Sequence, residues 1–423
     1  MIKNYLKIFG KVAKQNKLYT FLSLFGISLT IMFVMIFSMT ITKIITGSGP
    51  EKDLENILFA EKVTHKYKSG GGSGETKNAC GTTLSEDYLK KIKSADKISM
   101  YYGIPWEFIY NGKYQLKEAT PTDAEYWEVF KYNFLQGRPY SKEEVKTREN
   151  VAVISQSLQK LLFGDEKEVL GKIIHYPSSE LIVVGVVEDP PIYSQNAKGD
   201  LYFPYTIQQT YQYGSSAIYA GSFKVAFKAV SPKQFKAIQK EVQDIITRLD
   251  IADTVSTVFL AGPYSQIEKV LAREQYPENY SMVKKIIKYL AIAFAFILLP
   301  AINLMALNFA RIQERGEEIA IRKSFGASGS SLRGQILFEN ILMTLLGGII
   351  GVVLSLIFVA FFGNLISIPL TPTNNVPLSF SFNINVFIIA LASSLVFGLF
   401  SGYLPAVGLS KMKPALYLKG GEL

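Results

Sequence analysis

Four long stretches of the chain consist almost entirely of apolar residues, and each carries at most one charged residue. They cover residues 18–45, about 289–310, about 335–362 and about 384–404. An α-helix needs about 20 apolar residues to cross the hydrocarbon core of a membrane, so each stretch predicts a transmembrane helix. A buried helix of a soluble protein explains one such stretch but not four. The first stretch is too long for a signal peptide and no small-residue cleavage site follows it, so we expect a retained anchor.

Basic residues are concentrated beside these stretches, and their positions set the expected orientation. Only 19% of the residues are charged, against about 25% in soluble domains, and the net charge is +10. Residues 1–17, 311–334 and 411–423 carry net charges of +5, +2 and +2, whereas residues 363–383 contain no Lys or Arg. Because positive segments stay in the cytoplasm, we expect both termini and 311–334 there, with 46–285 and 363–383 outside. The excess charge then meets anionic membrane lipid, so a nucleic-acid partner is not expected.

Residues 1–17 also have a helical period. Apolar residues recur at positions 2, 5, 6, 9, 12 and 13, and lysines at positions 3, 7, 11 and 14 lie on the other side. The pattern predicts an amphipathic helix on the cytoplasmic membrane surface, with an unstructured positive flank as the alternative.

The segment between the first two stretches mixes short β-type runs with helical runs. Strands are predicted at Ile98–Ile104, Glu107–Tyr110, Val151–Ile154, Leu181–Val187, Phe223–Ala229 and Thr254–Leu260. Helices are predicted at Ser85–Ser94, Ser155–Leu162 and Ser231–Leu249, and the glycine-rich residues 69–74 predict a flexible loop. The predicted fold is an α-helical membrane protein with four transmembrane helices and a large α+β extracytoplasmic domain inserted between the first and second spans.

Sequence motifs for catalysis are missing. The chain contains no phosphate-binding G-x-x-x-x-G-K-[ST], no H-E-x-x-H and no G-x-S-x-G. Its single cysteine, Cys80, excludes an intramolecular disulfide, and a metal site could at most combine Cys80 with His65 and His175. The scatter of these residues instead predicts that they are solvated loop residues. We therefore expect a non-enzymatic chain with no cofactor or metal of its own.

Two features of the third apolar stretch are candidates for helix packing. Glu339 is its ionisable residue, and it is either an interfacial residue near Arg333 or a polar contact between spans. Gly347, Gly348 and Gly351 line one face, and the pair Gly347…Gly351 lets helix backbones approach closely. This pair predicts either packing within one subunit or a dimer seam.

The loop 311–334 places charged and apolar residues at helical spacing. Glu318 and Arg322 are four residues apart, which is a favourable helical pair, and Gly326 offers a C-terminal stop. An apolar edge is formed by Ile312, Ile319 and Phe325. The pattern predicts a short amphipathic helix parallel to the membrane, with a solvated connecting loop as the alternative.

The stretch ERGEEIAIRKSFGASGSSLRGQILFENILMTLLGGIIGVVLS resembles the core signature of MacB/FtsX-type ABC transporter permeases. The matching positions are Arg315, Glu318, Ile319, Arg322, Lys323, Gly326, Ala327, Ser328, Glu339, Gly347, Gly348 and Gly351. The C-terminal SGYLPAVGLSKMKPALYLKG resembles the closing motif of that family. In the outer segment, LQGRPYSKEEV, NVAVISQSLQKLLFGDEKEVLGKII and LIVVGVVEDPP resemble the MacB-type periplasmic core domain. The combination is specific and covers nearly the whole chain.

This resemblance implies a multi-pass permease of the bacterial inner membrane that pairs with a second permease subunit, identical or different. It implies a surface that docks on a separate cytoplasmic ABC ATPase, which binds the ATP and Mg²⁺. That surface would consist of Arg315, Glu318, Ile319, Arg322, Lys323 and Gly326. Closure of the ATPase would move the outer domain by mechanotransmission and so export or release a peptide, a drug or a lipoprotein. A periplasmic adaptor or a lipoprotein would be a further partner.

The same resemblance sets the expected domain bounds. They are a cytoplasmic helix at 1–17, the first span at 18–45, the outer domain at 46–285 and a permease domain at 286–423. The outer domain would consist of a porter-like part and an inserted lobe at about 130–218. Because the sequence has no ATPase motif, it resembles the separate-subunit arrangement of lipoprotein-releasing permeases.

Two other classes of function stay open. The same architecture suits an FtsX-like regulator of an extracytoplasmic cell-wall hydrolase, although the large outer domain favours a transporter. A receptor would need a cytoplasmic output domain, and none of the three predicted cytoplasmic segments exceeds 25 residues.

Overall fold

A computed structural model describes residues 17–47, 49–67, 75–177, 179–191, 194, 196–208, 219–252, 256–272, 287–288, 291, 321, 324–325, 328–362, 367–371 and 374–377, with 388, 392, 395, 396 and 399. The helices in these ranges are α1 (Lys17–Thr46), α2 (Tyr126–Val129), α3 (Lys142–Thr147), α4 (Gln156–Phe163), α5 (Phe235–Ala252), α6 (Gln266–Ala272) and α7 (Gly329–Phe362). The strands are β1 (Ile57–Ala60), β2 (Lys62–Tyr67), β3 (Glu75–Cys80), β4 (Lys97–Tyr101), β5 (Ile104–Tyr110), β6 (Lys113–Thr122), β7 (Phe134–Gly137), β8 (Val151–Ser155), β9 (Ile173–Tyr176), β10 (Ser179–Val187), β11 (Leu201–Pro204), β12 (Ala220–Gly221), β13 (Lys224–Lys228), β14 (Ser256–Ala261), β15 (Tyr264–Ser265), β16 (Ser367–Thr371) and β17 (Asn374–Pro377).

The chain divides into two compact units. One unit, called the head, is Thr42–Met282, and the other, called the membrane unit, is Met1–Ile41 together with Val283–Leu423. The last residues of α1 thus belong to the head. In the membrane unit, β16 and β17 pair as an antiparallel hairpin within the predicted loop 363–383.

Most strands of the head form one sheet with the order β15-β1-β13-β4-β6-β11-β8-β10-β7, to which β5 and β9 are added through β6 and β10. A second sheet has the order β12-β3-β2-β14. The pairs β6–β11 and β8–β10 are parallel, whereas hairpins such as β5–β6 are antiparallel. This mixture is typical of an α+β fold. Strands β7 to β11, which lie in the expected lobe at 130–218, hydrogen-bond into the same sheet as β6, and the bounds of that lobe stay a prediction.

Strand β8 and helix α4 show how the local sequence sets these elements. The run V-A-V-I-S is buried throughout β8, as expected for a strand covered on both faces. Ser155 ends the strand and begins the helix, because its hydroxyl accepts the N–H of Leu158 at 3.2 Å. Asp189, just after β10, accepts the N–H and the hydroxyl of Ser157 at 2.8 and 2.6 Å. The E-D-P-P turn is therefore tied to the start of α4.

Three apolar clusters stabilise the head. One is built on α5, whose buried face has helical spacing and consists of Ile238, Val242, Ile246 and Leu249. A second is mainly aromatic and includes Tyr126, Phe130, Tyr140 and Tyr202. The third joins β8, β10, β11 and α4 around Trp106. Each such buried side chain contributes about 1.5–3 kcal/mol relative to exposure, so the head has cores of its own.

The motif L-Q-G-R-P-Y-S-K-E-E-V forms the turn into α3. The Ser141 hydroxyl accepts the N–H of Glu144 at 3.2 Å, and the Glu144 carboxylate accepts the N–H of Ser141 at 2.7 Å, which makes a capping box. Arg138 donates from both guanidinium nitrogens to the same carboxylate at 2.8 Å. This arrangement, led by Arg138, lowers the pKa of Glu144 from 4.5 to about 2.

The helix predicted at Ser85–Ser94 is wrong in form. The structure has a π-helical turn at Leu84–Tyr88 followed by a 3₁₀ turn at Leu89–Lys91. The buried apolar residues Leu84, Leu89 and Ile92 are five and three positions apart, which a regular α-helix does not place on one face. The strand predicted at Ile98–Ile104 is likewise interrupted, since β4 ends at Tyr101 and β5 begins at Ile104.

Helices α1 and α7 occupy the first and third apolar stretches. Among the described residues, one helix is long and apolar enough to cross a membrane, Leu337–Phe362 within α7, and α1 contains a shorter apolar helix at Thr20–Ile36. The spans expected at about 289–310 and 384–404 lie mostly outside the described residues. Of the helix expected at 1–17, only Lys17 is among the described residues. The whole loop at 69–74 lies outside them.

The capping box of α3 generates a prediction about pH. Glu144→Gln should lower the free energy of unfolding of the head by about 1 kcal/mol at pH 7, a modest value because Arg138 is largely exposed. A carboxyl whose pKa is lowered on folding stabilises the fold above its unfolded pKa of 4.5, and this contribution is lost as the pH falls towards about 2. Urea unfolding of the detergent-solubilised chain can be followed by fluorescence, because both tryptophans, Trp106 and Trp127, lie in the head.

The control is Glu143→Gln, which changes the exposed neighbouring carboxylate. We expect the difference between wild type and Glu144→Gln to shrink steadily between pH 5 and pH 2. A difference that does not depend on pH would contradict this assignment.

Candidate coupling site in the membrane unit and the head

Helices α1 and α7 pack along a stripe that recurs at every fourth residue of α7. The buried residues of this stripe are Glu339, Met343, Gly347, Gly351, Ser355 and Val359. The facing buried residues of α1 include Ile27, Ile31 and Met35, which also recur at every fourth position. Residues four apart lie one above the other on a helix, so each helix presents one continuous face to the other.

The two glycines bring the helix backbones close together. A Cβ atom added at Gly347 would lie 2.5 Å from Cγ2 of Ile27, and one added at Gly351 would lie 2.6 Å from the carbonyl oxygen of Ser28. Neither distance is compatible with a real Cβ atom, so the space is filled by α1. The structure therefore places the predicted Gly347…Gly351 pair against α1 of the same chain. Gly348 is buried as well.

The contacts also show that α1 and α7 run parallel. Residue 27 meets residue 347, residue 31 meets residue 351, and Ile36 clusters with Val359 further along both helices. Large apolar side chains on the other faces stay exposed, among them Phe21, Phe25, Phe33, Ile349, Val353 and Phe361. Apolar side chains exposed along helices of this hydropathy are typical of surfaces that face lipid.

Glu339 lies at one end of the stripe and is only 5% exposed. The adjacent Asn340 is 6% exposed, and the hydroxyl of Thr344 donates to its carbonyl oxygen at 2.8 Å. Polar residues therefore occupy the packed face of α7 near its start. A role of Glu339 as a polar contact between spans stays a prediction.

The residues expected to dock on an ATPase lie outside the described residues. This applies to Arg315, Glu318, Ile319, Arg322, Lys323 and Gly326. Two neighbours are described, Ile321 and Phe325, and the N–H of Phe325 donates to the carbonyl of Ile321 at 3.1 Å. The side chain of Phe325 is 88% exposed.

The head begins with a tightly held segment, residues 49–56, called the first anchor segment. It follows Gly47, whose φ of +70° ends α1 and where a Cβ would lie 2.1 Å from the carbonyl oxygen of residue 51. The carbonyl of Pro50 accepts the N–H of Lys131 at 3.0 Å. The ammonium of Lys131 lies 2.6 Å from the carboxylate of Asp53, and this hydrogen bond lowers the pKa of Asp53. The chain is thus fixed to the head within a few residues of the end of α1.

A cavity of about 400 Å³ opens in the head beside α3. Its charged lining is organised around Lys90, which lies 2.8 Å from Asp123 and 3.2 Å from Glu125, while Lys142 lies 3.0 Å from Glu125. Burial raises the pKa of Asp123, although Lys90 opposes that shift. Four charged residues of the described lining, Lys90, Asp123, Glu125 and Lys142, bind one another. These ion pairs link separate segments of the head around the cavity.

The prediction that His65 and Cys80 are solvated loop residues is wrong. His65 is buried in β2, and Cys80 is fully buried in β3 with its Sγ 3.9 Å from the carbonyl of Ala60. Strands β2 and β3 were not predicted, because most of their residues are polar and the sequence does not show which positions are buried. His175 is exposed in β9, at 3.3 Å from Glu180. In the described part of the chain, no group of three or more His, Cys, Asp or Glu side chains is arranged to hold a metal.

Comparison with known proteins matches two family profiles to the chain. The MacB-like periplasmic core domain matches residues 20–245, which is more than half of the chain, and the FtsX-like permease C-terminal domain matches residues 290–414. The chain belongs to the MacB/FtsX-type ABC transporter permeases. Both matched domains are permease domains, and membership implies an inner-membrane protein with a large α+β extracytoplasmic domain.

Similar curated proteins are macrolide export ATP-binding/permease proteins MacB. The protein from Acinetobacter baylyi is 25% identical over 414 residues, which is 95% of this permease and 57% of that protein. The protein from Pasteurella multocida is 27% identical over 298 residues, which is 69% of this permease and 41% of that protein. This permease therefore spans about half the length of these relatives.

Similar solved structures are outer domains of transporters. The extracellular domain of the ABC-type transporter YknZ from Gram-positive bacteria has a TM-score of 0.34 and 15% identity, covering 48% of this permease and 100% of that chain. The periplasmic region of MacB from Actinobacillus actinomycetemcomitans has a TM-score of 0.34 and 16% identity, covering 51% of this permease and 94% of that chain.

The contact between α1 and α7 generates a prediction that compares the same substitution, glycine to alanine, at three positions of α7. Gly351→Ala should destabilise the permease, because overpacking against the backbone of α1 costs about 1–3 kcal/mol. The higher helix propensity of alanine offsets only about 1 kcal/mol of that cost. Gly347→Ala should also be destabilising, because the added Cβ would lie 2.5 Å from Cγ2 and 2.8 Å from Cβ of Ile27, and the Cβ of a helical residue moves only with its backbone. The measurement is thermal unfolding of the detergent-solubilised chain, followed by circular dichroism.

Gly334→Ala is the matched control, because it lies in α7 and a Cβ there meets nothing within 4 Å. It should leave the unfolding temperature unchanged or raise it slightly. Equal unfolding temperatures for Gly334→Ala and Gly351→Ala would contradict the close packing.

Proposed function

We propose that this permease couples ATP hydrolysis by a cytoplasmic ABC ATPase to movement of its head, and thereby exports or releases a substrate such as a peptide, a drug or a lipoprotein. The head lies outside the membrane and both termini lie in the cytoplasm. The permease itself carries no catalytic residues. It works as a dimer, and movement of the head does not require the substrate to pass between its spans.

The observation that carries this proposal is the continuity of α1. This helix has 30 residues, extends from the membrane unit into the head and ends at Thr46. The first anchor segment begins at Gly49 and is bound to the body of the head by Lys131. A stiff helix attached through so short a connection transmits a displacement of the membrane segment to the head instead of absorbing it.

The contact between α1 and α7 supports the cytoplasmic part of the proposal. Helix α7 begins at Gly329, at the end of the loop 311–334, and packs against α1 through Gly347 and Gly351. A movement of the loop can therefore reach α1 by direct contact. The exposed Phe325, four residues after Ile321, supports an apolar edge suited to a groove in a partner. The parallel run of α1 and α7 is the arrangement that the charge-based topology requires for spans one and three.

Charge reversal in the loop tests the docking surface. Glu318→Lys and Arg322→Glu should each reduce co-purification of the ATPase in mild detergent by at least about tenfold, because each leaves a charge on the partner facing a like charge. Glu422→Lys, in the tail expected on the same side of the membrane, is the control and should retain the ATPase. Tryptophan fluorescence verifies that the head stays folded.

Retention of the ATPase by both loop variants would overturn the assignment of the loop. If the head captures a cell-wall hydrolase and no exported or released substrate is found, the proposed export function is wrong. The chain would then be an FtsX-like regulator of that hydrolase.

The single cysteine allows a direct test of topology. Burial raises the pKa of the Cys80 thiol to about 12, with a further contribution from Glu61, so the native permease should not react with maleimides. Lys113→Cys in the head should then be labelled by a membrane-impermeant maleimide in intact spheroplasts. Glu314→Cys in the loop should be labelled only after permeabilisation. The reverse pattern would contradict the proposed orientation.

A further inference from the structure

The loop that precedes β11 binds the first anchor segment through a buried carboxylate. The N–H groups of Asn196 and Ala197 both donate to one oxygen of Glu51 at 2.6 Å. Glu51 is 2% exposed, so its charge is stabilised by these bonds and not by water. The loop therefore holds the chain five residues after the end of α1.

The same loop binds the other end of the head. Residues 264–272, called the second anchor segment, comprise β15 and α6 and precede the second predicted span. The side-chain amide of Asn196 donates to Gln266 at 3.2 Å, and its oxygen accepts from the ammonium of Lys269 at 2.5 Å. Lys269 also lies 2.5 Å from the carboxylate of Glu61. A single asparagine thus contacts both ends of the head through its backbone and its side chain.

The two anchor segments are adjacent in the main sheet. Strand β15 pairs with β1, with Leu58 opposite Ser265 and Phe59 opposite Tyr264. Ser265 also caps α6, since its hydroxyl accepts the N–H of Glu268 at 3.3 Å. The cap fixes the helix that carries Lys269, whose ammonium lies 4.2 Å from the ring centroid of Phe59.

The loop is in turn fixed to the core of the head. The carbonyl of Ala197 accepts the hydroxyl of Tyr132 at 2.8 Å, and the hydroxyl oxygens of Tyr132 and Tyr202 lie 2.9 Å apart. Tyr202 donates to the carbonyl of Gly199 at 2.8 Å. Residues 196–199 of the loop are therefore bonded both to the two anchor segments and to the aromatic core.

We propose that Glu51, Asn196, Gln266 and Lys269 form a polar clasp that makes both connections of the head to the membrane unit move as one body. The proposal rests on the proposed function, in which movement of the membrane helices displaces the head. The four side chains are positioning residues, since they act through the two anchor segments that they hold. Loss of the Lys269 ammonium removes the donor that the buried side-chain oxygen of Asn196 has in the structure, which costs free energy. Because Asn196 also holds Glu51 through its backbone N–H, we expect the two anchor segments to loosen together.

Hydrogen exchange of the full chain in detergent tests the clasp without any partner. Lys269→Met removes the ammonium that binds both Glu61 and Asn196, and amide exchange should rise by at least about tenfold in residues 49–56 and 264–272 together. Lys269→Arg, which keeps a charged donor, should restore most of the protection. The control is Lys97→Met, which removes an exposed ion pair with Glu128 elsewhere in the head. Faster exchange in the second segment alone, or in neither segment, would overturn the clasp.

A second variant covers the case in which Lys269→Met does not fold. Gln266→Met removes one hydrogen bond to Asn196 and leaves the ion pair intact. It should give a smaller rise in exchange that again includes both segments. A rise confined to residues 264–272 would overturn the clasp.

The functional consequence is tested in the complex with the ATPase that co-purifies. Trapping with ATP and vanadate should change exchange in both anchor segments of the wild type, whereas Lys269→Met should show the change in only one. A joint response that persists in Lys269→Met would overturn the positioning role. If exchange in the wild type does not respond to ATP and vanadate, the proposed function fails. The exchange measurements on the chain without the ATPase then still decide whether the clasp exists.

Discussion

The connection between α1 and the head is the constraint on which the rest of the structure depends. The helix ends at Thr46 and the next helical turn begins at Gly49, so little chain is available to absorb a displacement. The carbonyl of Pro50 and the carboxylates of Glu51 and Asp53 are then bound to three different parts of the head. In the proposed function the head follows α1 as a body, because bending the first anchor segment away from the head would break several buried or partly buried bonds at once.

Contact in the membrane unit extends this constraint towards the loop 311–334. Helix α7 starts at the end of the loop 311–334 and lies against α1 over several turns, with glycines at the closest approach. Packed helices with complementary faces resist small independent shifts, so a displacement of one is passed to the other. The path that we propose from the loop to the head consists of one packed contact and one covalent connection. Docking of the loop on an ATPase is the step that rests on sequence resemblance.

The sequence predicts those elements whose own residues carry the signal. Helices α1 and α7 follow from unbroken apolar runs, and β8 and β10 from buried valine and isoleucine. Strands β2 and β3 escaped prediction because the sequences K-V-T-H-K-Y and E-T-K-N-A-C are mostly polar and are recognisable only from their partners. The clasp was missed for the same reason, since Glu51, Asn196 and Lys269 are far apart in sequence. Burial of a charged residue depends on the tertiary fold, and no local sequence pattern predicts it.

A flexible insertion tests the central claim most directly. Three residues, Gly-Gly-Ser, are inserted after Gly47, and energy transfer is measured between a dye at Lys113→Cys in the head and a dye at the lipid surface. In the wild type, and in a control with the same insertion within residues 69–74, ATP with vanadate should change the transfer efficiency. In the variant with the insertion after Gly47 the ATPase should still bind, but the efficiency should not change. A nucleotide-driven change of the same size in that variant would contradict rigid coupling through α1.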